Sequence, residues 1–306
     1  MALEHEVELI GAPSAAGAGL PGGRDGPAAL RAAGLQDALQ GAGCRVHDAG
    51  DLSGPPPGPA KHRQGYRHLE AVQAWCAQVH DAVLAALTAG RQPLLLGGDH
   101  SLAIGSISAV ARHCRARGRP LRVLWFDAHA DCNSRRTSPS ANLHGMPVAC
   151  LHGIGPPGLS ELSGHMPALR PGELQLVGVR SIDPGEADIV RALRLPLMGL
   201  PALRAQGARA AMAQWLATIE DEAYLHVSLD LDFLDPDAAP GTGTPVGGGA
   251  TLAEALDCME AIAASGRLGS ADLMELLPRR DTDGRSVRHA LRLLSTLFRP
   301  APQGDR

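Results

Sequence analysis

The stretch LRVLWFDAHAD, Leu121 to Asp131, joins a largely apolar, β-branched and aromatic run to two aspartates and a histidine at alternating positions. Side chains two apart at the end of a strand share a direction, so Asp127, His129 and Asp131 can converge on one point. Two more stretches repeat the design. SLDLD, Ser228 to Asp232, sets Asp230 and Asp232 after the strand-like Tyr224–Leu229. PLLLGGDHS, Pro93 to Ser101, ends an apolar run with two glycines that permit a sharp turn and then presents Asp99 and His100. Helix capping explains one acid per turn, not three such sets.

Around these motifs, apolar runs suited to buried strands recur at Val7–Ile10, Arg45–His47, Leu94–Leu96, Leu121–Phe126, Leu174–Val179, Tyr224–Leu229 and Ser270–Leu276. Stretches with helical spacing lie between most of them, including His68–Leu87, Ala208–Ile219, Leu252–Ala264 and Ser286–Leu297. Strand and helix alternate throughout, which predicts an α/β fold: a mainly parallel sheet covered by helices on both faces, in three αβα layers. The Pro- and Gly-rich Ser53–Pro59 reads as a surface loop, because the one strand-helix unit before it cannot fold alone, so residues 1–306 are expected to form a single domain. In an open parallel sheet, ligands bind beyond the carboxyl ends of the strands, where Asp99, His100, Asp127–Asp131, Asp183, Asp230–Asp232 and Glu275 all fall. A (β/α)₈ barrel gathers them equally well, and pattern alone does not separate the two.

Composition narrows the partners. Of 306 residues, 44% are hydrophobic and 20% charged, a globular balance, and the formal net charge of −4 argues against nucleic acid. No apolar run approaches a membrane span, and MALEHEVELI at the start carries acids where a signal peptide needs a basic, then apolar, segment. A cytoplasmic location is expected. Six cysteines without a CxxC pair read as reduced, buried thiols, Cys132 among them.

Two histidines and at least four carboxylates at one sheet edge carry too much negative charge to bury without cations. Two divalent ions resolve this, with Asp127 and Asp230 as bridges, and an oxygen-rich set with some imidazole favours Mn²⁺. Such a pair holds a bridging water as hydroxide near neutral pH, which points to metal-assisted hydrolysis.

GGDHS at 97–101, FDAHAD at 126–131, NLHG at 142–145, IDPGE at 182–186, SLDLDFLDP at 228–236 and TGTP at 242–245, in this order, resemble the ureohydrolases and specifically the arginases. The resemblance runs from about Gly11 to Leu297. It implies a single α/β domain with a parallel sheet of eight strands, deciding against the barrel. It also implies two Mn²⁺ per subunit, one held by His100, Asp127, Asp131 and Asp230 and the other by Asp127, His129, Asp230 and Asp232. Asp131 would accept a hydrogen bond from the bridging hydroxide, His144 would shuttle a proton to the leaving amine, and Glu275 would pair with the substrate guanidinium. Asn133, Ser138, Ser140 and Asn142 resemble the carboxylate-binding set, Asp183 and Glu186 the amino-binding set. Ser181 and Phe233 depart from the aspartate and glycine of animal relatives.

The activity this implies is hydrolysis of L-arginine to L-ornithine and urea, with a homotrimer or homohexamer as the assembly. Cleavage of agmatine, guanidinobutyrate or a related compound is the alternative, and a catalytically silent subunit a more distant one. Loss of a ligand, of His144 or of Glu275 would mark the silent case, and all are present.

Overall fold

The computed structural model describes residues 5–19, 21–55 and 62–301, so the Ser53–Pro59 loop lies outside the described residues from Pro56 onward. Ten strands form within that range: β1 Glu6–Gly11, β2 Arg45–Asp51, β3 His62–Arg63, β4 Tyr66–Arg67, β5 Gln92–Leu96, β6 Leu121–Phe126, β7 Leu174–Val177, β8 Leu197–Met198, β9 Tyr224–Asp230 and β10 Leu268–Met274. Eight of them make one sheet in the order β2-β1-β5-β10-β9-β6-β7-β8, every neighbour parallel. The sheet is open, with β2 and β8 at its edges, and this excludes the barrel.

Alternation along each strand assigns the two faces. Leu124 and Phe126 of β6 join Leu94 and Leu96 of β5 on one side, against the helices Leu35–Gly41, Ala208–Leu216, Leu252–Ala264 and Arg285–Leu297. Val123 and Trp125, with Leu95, face the helices Leu69–Thr88 and Ala103–Ala116 on the other. Each fully buried Leu, Val or Phe contributes about 1.5–3 kcal/mol of transfer free energy, so both faces must be covered. Strand β2 differs: it is an edge strand, its residues half-buried or exposed, and it continues to Asp51 through charged residues that no apolar run announces. Strand β7 stops at Val177 rather than 179, because Gly178 takes φ +88° and leaves the extended region. Two short elements have no sequence signal, the edge strand β8 and the antiparallel β3–β4 hairpin.

After β5 the chain passes to β6, and the gap between them is filled only later by β9 and β10. Such a reversal of strand order opens a crevice at the carboxyl ends, the usual ligand site of an open parallel sheet. Strands β5, β10, β9 and β6, now side by side, end at Gly97–His100, Glu275, Asp230–Asp232 and Asp127–Asp131 respectively. Among the described residues no helix is long and apolar enough to cross a membrane.

Candidate metal and substrate site

The strand ends converge on two overlapping groups of donor atoms. His100 Nδ1 lies 3.1 Å from Asp127 Oδ2, 3.1 Å from Asp230 Oδ2 and 3.4 Å from Asp131 Oδ2. His129 Nδ1 lies 3.3 Å from Asp127 Oδ1 and 3.1 Å from Asp232 Oδ2. Asp127 therefore belongs to both groups, one oxygen to each, while Asp230 joins the His100 group. Neighbouring ligands of an octahedral ion with bonds of about 2.1 Å stand roughly 3 Å apart, so these spacings fit divalent cations.

The charge balance points the same way. Burial, then the carboxylate of Asp127, raises Asp131 well above the usual range, and burial with Asp232 and Asp127 does the same to Asp230. Burial and Asp127 also raise Asp232. Burial acts to lower His129, but its hydrogen bonds with Asp127 and Asp232 override this and push it up to about 12. Four buried aspartates cannot all ionise on the positive charge that two imidazoles supply, and cations are the missing complement. His100 is set up to receive one: with its Nε2 donating to Ser228 Oγ at 3.0 Å, loss of the Nδ1 proton to an incoming cation turns a lone pair toward the carboxylates.

Several residues outside the donor groups support them. Trp125 donates from Nε1 to Asp127 Oδ2 at 3.0 Å and stacks on the His100 ring at 4.0 Å, nearly parallel. Thr244 Oγ1 donates to Asp232 Oδ2 at 3.1 Å, and the Arg180 guanidinium donates to the carbonyl of Asp232 at 2.8 Å. Asp99 does not join the donor groups. Its carboxylate accepts from the backbone of Gly17 and Ser101, tying the 14–18 loop to the end of β5.

Beside the donor groups lies a cleft of about 140 Å³, lined by His129, Asp131, Asp230, His144 and Glu275 and by all six residues expected to bind substrate: Asn133, Ser138, Ser140, Asn142, Asp183 and Glu186. His100, Asp127 and Asp232 are buried. A larger groove of about 670 Å³ near Arg204, Asp235 and His289 includes none of the candidate ligands. Asp131 and Glu275 hold left-handed backbone, φ +47° and +59°, a strain of about 1–3 kcal/mol each that recurs at functional sites. His144 Nδ1 donates to Glu275 Oε1 at 3.1 Å, an oxygen that also accepts from the His100 N–H at 3.0 Å. Burial acts to lower His144, but Glu275 wins and raises it; burial acts to raise Glu275, but His144 wins and lowers it.

At the outer wall, Ser138 Oγ accepts from the Ala141 N–H and Ser140 Oγ from the Asn142 N–H, which leaves both hydroxyl protons free to donate. Asn133 Nδ2 donates to Asp183 Oδ2 and Asn142 Nδ2 to the Ala18 carbonyl, and each amide oxygen is buried and unpaired. Glu186 turns inward, accepting from the N–H of Cys132 at 2.7 Å and of Asp183 at 3.1 Å. The two departures separate. Ser181 lines the cleft, whereas Phe233 is fully buried, set edge-on to Phe126 and packed over the bare Cα of Gly178. All six cysteines are buried and unpaired, and burial raises the Cys132 thiol far above its ordinary value.

Comparison with known proteins agrees with this geometry. The model of the arginase family matches residues 5–299. An arginase of Bacillus caldovelox is 38% identical over 298 residues, covering 95% of this chain and 97% of the relative. One of Brucella melitensis is 36% identical over 297 residues, covering 95% of each. The crystal structure of arginase from Bacillus cereus superposes with a TM-score of 0.88 at 35% identity, covering 96% of this chain and 98% of that one.

Proposed function

The chain belongs to the arginase family, and we propose that it hydrolyses L-arginine to L-ornithine and urea with two Mn²⁺ ions held by His100, Asp127, Asp131 and Asp230 and by Asp127, His129, Asp230 and Asp232. The observation that carries this reading is the pair of donor groups sharing Asp127 beside a cleft that holds the His144–Glu275 pair. An oxygen-rich set with two imidazoles suits manganese. When bound, two such ions supply Lewis acidity that activates a water near neutral pH and neutralises the carboxylates.

The chain's own residues do the rest. Glu275 pairs with the guanidinium and turns its carbon toward the donor groups. Because Glu275 Oε1 is the partner of His144 in this structure, an arriving guanidinium competes for that oxygen and frees the imidazole. The attacking water's oxygen bonds to the guanidinium carbon, and the bond from that carbon to the chain nitrogen breaks. Asp131 accepts a hydrogen bond from the water and takes its proton toward the departing amine. His144, which Glu275 holds protonated beyond its ordinary range until the guanidinium displaces it, then gives up that proton as the general acid that completes delivery.

The free hydroxyl protons of Ser138 and Ser140 and the second amide N–H of Asn133 and Asn142 are donors suited to an α-carboxylate. Asp183 supplies the negative charge for an α-ammonium, with Glu186 fixing its backbone. The proposal extends to one domain over residues 1–306, which the single sheet running from Glu6 to Met274 supports. Family membership supports a homotrimer or homohexamer in the cytoplasm, with no nucleic-acid or membrane partner.

Elemental analysis combined with urea release tests the reading. Chelation is expected to abolish urea release from L-arginine and lower thermal stability, and Mn²⁺ to restore both at two ions per chain. Full activity in protein shown to be metal-free contradicts it.

A further inference from the structure

Arg180 follows β7 and spends all five of its side-chain N–H groups on backbone carbonyls. Nη2 donates to Val246 at 2.7 Å, Asp232 at 2.8 Å and Leu234 at 3.4 Å; Nη1 donates to Gly178 at 3.3 Å and Phe233 at 3.4 Å; Nε donates to Gly247 at 3.3 Å. Among the described residues no carboxylate pairs with it. An arginine that serves only as a surface charge finds an acid or water, so a cradle made of carbonyls assigns it another task.

That task follows from which loops the carbonyls belong to. Asp232–Leu234 is the turn after β9 that carries one candidate metal ligand, and 246–247 lies in the loop whose Thr244 donates to Asp232 Oδ2. The backbone N–H of Arg180 itself donates to the Ala128 carbonyl at 2.8 Å, inside the Asp127–Asp131 segment. A single residue thus joins two segments of the donor set and the loop that supports one of them, one through its main chain and two through its side chain. The negative ends of the carbonyl dipoles point at one spot, and only a cation there lets the turns stand so close. The same cation lies near Asp232, Asp127 and Asp230, whose charge resists the effect of burial on the guanidinium.

We propose that Arg180 is a positioning residue of the metal centre, which clamps the Asp232 turn to the 244–247 loop and so prepares the His129–Asp232 side of the site for its ion. The assignment rests on the two-cation reading above. Lysine cannot substitute, since one ammonium offers a point charge and not a planar fork that spans six acceptors. Without the guanidinium all these carbonyls but that of Phe233, which keeps the Ala250 N–H, are left unpaired, Thr244 separates from Asp232, and the ion on the His129 side is lost first.

The test is Mn²⁺ binding to R180M and R180K, measured by electron paramagnetic resonance of free Mn²⁺, with melting curves in chelator and in Mn²⁺ and with kcat and KM for L-arginine. R180M is expected to bind one ion at least about ten-fold more weakly than wild type, the range seen when a residue supporting a ligand is lost. The other ion is expected to bind almost as before. The Mn²⁺-induced rise in Tm shrinks, and kcat falls more than KM changes, with part of it recovered at saturating Mn²⁺. R180K is expected to lie between R180M and wild type. It carries the test alone should R180M fail to fold.

A folded R180M, or in its place R180K, that binds both ions with wild-type affinity overturns the assignment. So does a Tm loss of equal size with and without metal, the mark of a purely structural role. Wild-type protein that takes up no Mn²⁺ overturns the metal reading, and the role of Arg180 with it.

Discussion

Replacing Trp125 with Phe isolates one hydrogen bond under the metal site. The indole is fully buried and does two things: its N–H donates to Asp127 Oδ2 at 3.0 Å, and its ring lies 4.0 Å from that of His100, at an interplanar angle of 8°. Phe keeps an aromatic face against His100 but loses the donor. A hydrogen bond to a charged acceptor is worth about 1.5–3 kcal/mol. Asp127 supplies an oxygen to each donor group, so this cost falls on metal binding, as a loss of roughly 10- to 150-fold in affinity. The smaller ring also weakens core packing, but in metal-free and metal-loaded protein alike. A competition titration of Mn²⁺ against a chelator, with melting curves in both states, separates the two effects. Trp125→Phe that folds, melts lower by the same amount in both states and binds Mn²⁺ within about two-fold of wild type would refute this reasoning about ligand support.

His144→Asn removes the proposed general acid while leaving the donor groups intact, so kcat for L-arginine is expected to fall by about 10²-fold or more with little change in KM or metal content, partly rescued by added imidazole. Steady-state kinetics with metal analysis checks this, and an unchanged kcat reduces His144 to a loop residue. Asp183→Ala removes the acceptor for an α-ammonium and for Asn133 Nδ2, so KM for L-arginine should rise about ten-fold, roughly 1.4 kcal/mol. The advantage of arginine over guanidinobutyrate should narrow in the same measurement, and an unaltered ratio would remove Asp183 from substrate recognition.

The parts of the fold that sequence reveals are those where burial is symmetrical or a cap is explicit. Leu121–Phe126 reads as a strand to the residue because a central parallel strand is apolar on both faces. Leu252–Ala264 reads as a helix to the residue because Thr251 and Glu254 form a capping box at its start. The helix Ala103–Ala116 gives no such contrast: it is buried almost all round and built from Ala, Ser and Ile, so no polar stripe marks it. Leu197–Met198 is too short for any period.

The site divides in the same way. The candidate ligand acids and histidines show themselves as polar residues at the ends of apolar runs, and all of them gather at one sheet edge. Their supports do not, because five of the six carbonyls that Arg180 reaches lie 52 to 67 residues away and a carbonyl has no sequence signature. Trp125 reads simply as the end of an apolar run, its second role depending on the turn that brings Asp127 back over the indole. Phe233, in the middle of the SLDLDFLDP motif, is the converse: it follows two candidate ligands, and the structure buries it in the core against Phe126.

The central claim is a site that reads both ends of L-arginine while cleaving its guanidinium. The direct test is kcat/KM for L-arginine, agmatine and guanidinobutyrate with protein loaded with Mn²⁺. Agmatine lacks the carboxylate proposed to meet Ser138, Ser140, Asn133 and Asn142, and guanidinobutyrate lacks the amine proposed to meet Asp183. The account predicts L-arginine ahead of both by at least about 10²-fold, since each analogue leaves polar groups of the cleft unpaired. Preference for agmatine or guanidinobutyrate would contradict the arginine assignment while leaving the hydrolytic chemistry standing, and no urea from any of the three, with both ions bound, would contradict catalysis itself.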